Sequence, residues 1–299
     1  MTIDVASTSH QIPLSRTASA SHQVRLSRRL FSAAGWLAAG SALVFLSALM
    51  VWILGVVFIR GFGALAPSLF TTVTQGNGGG LLNAIEGTAV LSLGALLLAV
   101  PFGVAAGTYV SECRFSRWAS VIRFLADVFV GVPSIVLGYF GYVTMVEWLG
   151  WKFSVAAGSI ILAMICLPYI CRTTELALGQ VSNDLREAAY ALGASDRRVI
   201  MKICLPAALP GVLTGILLAL AISVGETAPL LYTAGWSNYL WDGSLTHSPI
   251  GYLTYAIYTF INEPFASANA LAYAAALLVT GFVLLINVVA RFVLGQVRH

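Results

Sequence analysis

The sequence predicts an all-α membrane fold: a bundle of six transmembrane helices with both termini on the cytoplasmic side. Three observations carry that prediction. Of the 299 residues, 59% are hydrophobic and 9% charged, whereas a soluble domain carries about 25% charged residues. The apolar residues gather into six long runs, and a helix needs about 20 such residues to cross hydrocarbon. Most of the basic residues fall in alternate connections between those runs, or just inside the ends of the runs beside them.

Residues 1–30 are polar, rich in Ser and Thr, and contain Arg16, Arg25, Arg28 and Arg29. They read as a disordered cytoplasmic tail, ahead of a polytopic transmembrane domain over 31–299. The first run covers 31–59. It is longer than the roughly 7–15 apolar residues of a signal-peptide core, so it stays as a span. The other runs cover 84–110, 120–146, 153–178, 208–233 and 269–294. Helices satisfy their own backbone hydrogen bonds in lipid. The runs do not alternate with period two, which disfavours a β-barrel.

Fourteen of the sixteen basic residues lie on one side of this arrangement; Arg60 and Lys152 lie on the other. By the positive-inside rule the fourteen face the cytoplasm. The net charge of +4 is therefore a topology signal, and nucleic-acid binding is not implied. Cys113, Cys166, Cys171 and Cys204 lack CxxC spacing, so they read as small buried apolar side chains and not as a disulfide or metal site. Asp127 lies four residues after Arg123, which predicts an intrahelical ion pair.

The external segments are 60–83, 147–152 and 234–268. The first contains the flexible turn Gly76-Asn77-Gly78-Gly79-Gly80. The last holds Trp236, Tyr239 and Trp241, suited to the headgroup level of the membrane lipid. Ile250, Leu253, Ile257, Phe260 and Ile261 share a helical face, which predicts a short helix along the outer surface. An external partner has that surface to dock on.

Residues 179–206 break the apolar pattern with Gln180, Asn183, Asp184, Arg186, Glu187, Asp196, Arg197, Arg198 and Lys202. Asp184 and Glu187 have capping-box spacing, so a helix starts there. Gly193 can end it. Ser195 or Asp196 can cap a second helix, which Pro206 either stops or converts into the next span. Two short helices joined at a glycine suit a groove on a soluble partner; an ordinary surface loop is the plainer alternative.

Glu187-Ala188-Ala189, three residues, Gly193, nine residues, Ile203, one residue, Leu205-Pro206 resembles the coupling loop of ABC-importer permeases, with every defined position at the expected spacing. The resemblance implies a fold of ABC importer permease type. It also implies that the loop docks on a cytoplasmic ATPase dimer, with Glu187, Ala189 and Gly193 in the docking helix-turn and Glu187 as its polar contact. No Gly-x-x-x-x-Gly-Lys-[Ser/Thr] motif occurs in the chain. No catalytic residue, metal site or bound cofactor is expected here; ATP and Mg belong to the partner ATPase.

Two further segments are similar to the PstA permeases of phosphate-specific importers. They are Gly131-Val132-Pro133-Ser134-Ile135-Val136-Leu137-Gly138 and Gly225-Glu226-Thr227-Ala228-Pro229-Leu230-Leu231. Arg172-Thr173-Thr174-Glu175 and Glu86-Gly87-Thr88 fit the same pattern. The resemblance implies a multi-pass protein of the bacterial inner membrane carrying inorganic phosphate. It implies a second homologous permease and an external phosphate-binding protein as partners.

The residues themselves allow two readings at each point. Pro133 and Pro229 break or kink their spans, and broken spans line cavities or merely kink. Glu226 is expensive in lipid, so it faces the bundle interior, where it either pairs or takes part in the pathway. Arg172, one turn from Glu175, either sets topology or offers forked donors to an oxyanion. Thr88, Ser134 and Thr227 can supply neutral hydrogen bonds. The family has an arginine three residues before the Gly225 position, and here Ile222 stands in its place. Two other functions use the same residues. One is a permease for another oxyanion, such as phosphonate, sulfate or molybdate. The other is an ion-coupled secondary transporter with Glu86, Asp127 and Glu226 as proton sites.

Overall fold

The computed structural model describes residues 15–297, which divide between Val56 and Val57 into two compact units. Helix α1 runs over Ser15–Ala64. In the first unit its large apolar side chains, among them Phe31, Trp36, Phe45 and Trp52, stand exposed, as a helix in contact with lipid requires. The helix begins at Ser15, inside the segment expected as a disordered tail. No Gly or Pro interrupts residues 15–34, and extending an existing helix gains one hydrogen bond per residue fixed. Residues 1–14 of that expected tail lie outside the described residues.

In the second unit, the connection after α1 holds a single turn, α2 (Ser68–Thr71), and a hairpin of β1 (Thr74–Gln75) and β2 (Gly78–Gly79). The glycine-rich turn is thus an ordered hairpin. Asn83, 1% exposed, accepts from the Thr74 amide and hydroxyl and donates 2.8 Å to the Ser237 carbonyl, fixing the hairpin to a distant connection.

Helices α3 (Leu82–Glu112) and α6 (Val155–Gly179) form the centre. Their axes approach closely where α3 is small. A Cβ on Gly107 would lie 2.5 Å from the Cys171 carbonyl oxygen and 2.6 Å from Thr174 Cβ. Without a hydrophobic drive between helices in lipid, such close packing is what holds them. Around this pair lie α9 (Leu205–Gly225) and α12 (Ala266–Val297).

Two of the six expected spans are interrupted. The third is α4 (Arg117–Gly131) and α5 (Ser134–Gly141), the latter widening into a π-turn over Tyr142–Trp148. The halves meet at Pro133 with a bend of 100°. Among the described residues, five helices are long and apolar enough to cross a membrane, or six if the bent pair counts as one span. The fifth span ends at Gly225 and resumes as α10 (Ala228–Thr233). Its break is Glu226–Thr227, with Pro229 opening the new helix instead of interrupting the old one. Gly138 of α5 packs on α10: a Cβ there would lie 2.5 Å from Pro229 Cα.

Connection 234–252 leads to α11 (Leu253–Phe260). The shared apolar face was expected to lie along an outer surface. Its Ile250, Leu253 and Phe260 are instead turned into the bundle and buried together with Ala256, while Ile257 is half-buried and Ile261 at the helix end is exposed. Trp236 stacks on Tyr255 at 4.6 Å and Trp241 bonds to the Ser244 carbonyl, so only Tyr239 of the three aromatics stands free, 79% exposed. Of the cysteines, Cys166, Cys171 and Cys204 are buried as expected, while Cys113 is exposed.

Candidate functional site

The polar loop folds as two helices with defined ends. Helix α7 (Asn183–Ala191) is capped by Ser182, whose hydroxyl accepts from the Leu185 amide, two residues before the expected Asp184 cap. Asp184 sits in the first turn, where its charge suits the helix dipole. The helix closes on Gly193 at φ +76°. The Gly193 amide donates to Tyr190 O and the Ala194 amide to Ala189 O, a Schellman motif that needs a left-handed residue at this point. After Ser195, α8 (Asp196–Val199) passes through a π-turn (Ile200–Cys204) straight into α9. The expected second helix is therefore the start of the span. The wide turn lets Pro206, which lacks an amide hydrogen, sit without breaking the chain's helical course.

The motif residues divide by burial. Ala189 is buried with Val199, Cys204 and Leu178, and Ile203 and Leu205 pack against that cluster. Glu187, Ala188 and Gly193 face outward. Beside them Leu192 is 90% exposed, the most projecting apolar side chain of the loop. Sequence reading missed it because the pattern leaves its position open.

A second missed feature ties the loop to the bundle. Arg186 donates to both oxygens of Glu112 at 2.9 and 2.7 Å, and to the Leu178 carbonyl at 3.1 Å. Partial burial works against the guanidinium charge, but the Glu112 carboxylate outweighs it and raises the Arg186 pKa. One side chain thus joins α7 to the last residues of α3 and α6. The only sequence signal was an unremarked charge at the end of the second run.

The expected pathway residues fall into three places. Glu175 accepts from Arg172 and from Arg123, each at 2.8 Å. Arg123 therefore pairs across to α6 and not with Asp127, because the half-buried Glu175 collects two cations while Asp127 lies exposed. Ser134 and Glu226 stand at the two helix breaks and line one cavity of about 190 Å³ with Tyr169, Ile165 and Phe129. Thr227 adjoins Glu226 in the second break. Thr88 is already engaged: its hydroxyl donates to Ala84 O and accepts from the Leu253 amide at 2.9 Å. It sits near Glu226 in a separate, smaller cavity. Arg172 lines neither cavity.

Glu86-Gly87-Thr88 forms the seat of the connection before α11. Glu86 accepts from the Trp241 amide at 3.1 Å. A Cβ on Gly87 would collide with the Gly251 carbonyl. Thr254 donates 2.7 Å to the Glu226 carbonyl. The break in the fifth span is thus held from one side by α5 and from the other by this descending segment.

Comparison with known proteins agrees with this architecture. Residues 99–299 match the model of a family described as "Binding-protein-dependent transport system inner membrane component". The phosphate transport system permease protein PstA 2 of Mycobacterium bovis is 45% identical over 266 residues, covering 89% of this chain and 88% of its own. PstA of Haemophilus influenzae is 44% identical over 81% of this chain and 86% of its own. Among solved structures, a chain of the MetNI methionine ABC transporter, in an inward-facing form, superposes with a TM-score of 0.57. It is 21% identical and covers 73% of this chain and 94% of that one.

Proposed function

This chain belongs to the family of inner-membrane components of binding-protein-dependent transport systems, among the PstA permeases, and we propose that it carries inorganic phosphate across the membrane as one permease of an ATP-driven importer. The observation that carries the reading is the helix–glycine–helix loop. It presents Glu187 and Leu192 outward, buries Ala189, and fastens to two spans through Arg186 and Glu112. A rigid lever with an exposed tip and a fixed root is what transmission of motion between a soluble motor and a membrane bundle needs.

On this reading the loop seats in a cytoplasmic ATPase dimer, which supplies ATP hydrolysis, and both termini face the cytoplasm. A second, homologous permease completes the pathway. An external phosphate-binding protein delivers the anion at the opposite end. The cavity shared by Ser134 and Glu226 lies where two broken helices meet, the usual place for a transport pathway. Arg172 then stands at the cytoplasmic exit, a forked donor suited to an oxyanion.

The phosphate assignment is supported by the relatives and by the Gly-Glu-Thr-Ala-Pro and Gly-Val-Pro-Ser segments that build the two breaks. Ile222 motivates a second cargo in the test, since the family's arginine is missing from that position. The chain is co-expressed with candidate partners from its own genome and reconstituted, and ATP-dependent uptake of labelled phosphate is followed with unlabelled sulfate as competitor. Uptake that resists sulfate, and is lost in Glu187→Lys while the chain remains folded, supports cargo and loop together. Assembly with an ATPase without phosphate uptake redirects the search to phosphonate, sulfate or molybdate. Ion-driven uptake with no ATPase bound overturns the reading.

A further inference from the structure

Three of the most deeply buried hydroxyls in the second unit share one small space. Ser92 on α3, Ser223 on α9 and Tyr252 just before α11 are each at most 2% exposed. None of the three has a hydrogen-bond partner among the described residues. They line a common cavity of about 10 Å³, walled also by Glu226 and closed by Leu162 and Leu230. Folded proteins leave few buried polar groups unpaired, and those that gather around a polar space are paired by ordered water.

The other hydroxyls on that wall are already engaged. Thr88 binds Ala84 O and the Leu253 amide, and Thr254 donates to the Glu226 carbonyl. Among the hydroxyls on that wall, unmet capacity is therefore confined to Ser92, Ser223 and Tyr252, one group from each of three elements. A water molecule needs roughly 10–15 Å³ on this measure and makes about three hydrogen bonds. The cavity is too small for an oxyanion.

We propose that this cavity binds one structural water, held by the Ser92, Ser223 and Tyr252 hydroxyls. The water joins α3 and the end of α9 to the segment that descends into the bundle ahead of α11. It lies directly beside the helix break at Glu226. Because its partners come from three elements, it is retained only while all three stay together, and any movement that parts them releases it. The inference rests on burial and unpaired donors, and is independent of which ion is carried.

Two properties of the chain, assembled with its co-expressed partners in lipid nanodiscs, test this. The first is the melting midpoint of Tyr252→Phe, Ser223→Ala and the double variant, followed by intrinsic fluorescence. If the water is present, each single change removes a hydrogen bond to it and lowers the midpoint by about 2–4 °C. The double variant then falls by less than the sum, because the water is already loosened by the first change. Midpoints that hold or rise show that the hydroxyls were unpaired, and strictly additive losses show that no shared ligand couples them; either overturns the proposal. Thr174→Val serves as control. Its hydroxyl is also buried without a partner but does not line this cavity. Its midpoint should hold or rise, and an equal fall there would mean that the losses are not specific to the site. The second property is density: a map that resolves ordered water elsewhere must show one peak within reach of all three hydroxyls, and none there overturns the assignment.

Discussion

Arg186 is where the loop is most exposed to perturbation. Its guanidinium makes two bonds to the Glu112 carboxylate and one to the Leu178 carbonyl. The two side chains are 19% and 16% exposed, too little for the full solvent screening that reduces surface pairs to about 0–1 kcal/mol. A hydrogen bond to a charged group contributes about 1.5–3 kcal/mol. Arg186→Met keeps the aliphatic stem and leaves Glu112 without its cation, so about 2 kcal/mol of docking of α7 on α3 is lost. At 1.4 kcal/mol per tenfold change, the undocked loop becomes about 30-fold more populated. On the proposed reading ATP is then hydrolysed without matching transport. The assay is phosphate taken up per ATP hydrolysed in reconstituted complexes of Arg186→Met, Glu112→Gln and the double variant. A decline in that ratio in both singles, with little further decline in the double, is expected. An unchanged ratio in both singles, with folded chain and bound ATPase, would refute the lever.

Three further outcomes, one with its control, follow from packing and backbone geometry. Gly193→Val forces a β-branched residue to φ +76°, at about 1–2 kcal/mol or more; protease sensitivity at residues 192–195 should rise, and Gly193→Asn should do less harm. Gly138→Val drives a side chain into Pro229, about 1–3 kcal/mol of overpacking, and should lower both the melting midpoint and uptake. Gly131→Ala, whose added carbon meets nothing within 4 Å, should leave the midpoint in place. Asn83→Ala strands the Thr74 amide and the Ser237 carbonyl, for a loss of about 2–4 kcal/mol, seen as a lower midpoint and earlier proteolytic cleavage in the hairpin.

The helical spans were readable because the apolar runs exceed what any soluble core would use, and the loop was readable because its charges interrupt those runs. What sequence alone could not place were the long-range partners. Arg123 has a carboxylate one turn along its own helix, yet it reaches across to Glu175 on α6. Local spacing cannot weigh a neighbour 52 residues away. The face formed by Ile250, Leu253, Ile257, Phe260 and Ile261 was visible as a stripe, but a stripe does not say whether lipid or protein covers it. Gly87 held the answer, since only a residue without a side chain lets the Gly251 carbonyl descend there. The 100° bend at Pro133 was readable as a break and not as a turn, because a proline removes one hydrogen bond whatever angle the packing then chooses.

Ile222 closes the electrostatic argument about cargo. It packs against the buried cluster of Leu137, Ile161 and Ile165, two of which line the cavity that Ser134 and Glu226 share. No Lys or Arg lines that cavity. Two like unit charges 4 Å apart repel by about 4 kcal/mol at an effective dielectric of 20, so an anion beside an ionised Glu226 needs a compensating cation. Arg123 and Arg172 sit together on Glu175 and do not line that cavity. If phosphate passes here, as proposed, the cation comes from across the interface with the proposed second permease or Glu226 is protonated as the anion passes. Glu226→Gln separates the two. With a cation across the interface, removing the carboxylate leaves that cation unpaired and transport falls. If protonation is what clears the path, the amide mimics the neutral acid, uptake persists, and its dependence on pH flattens.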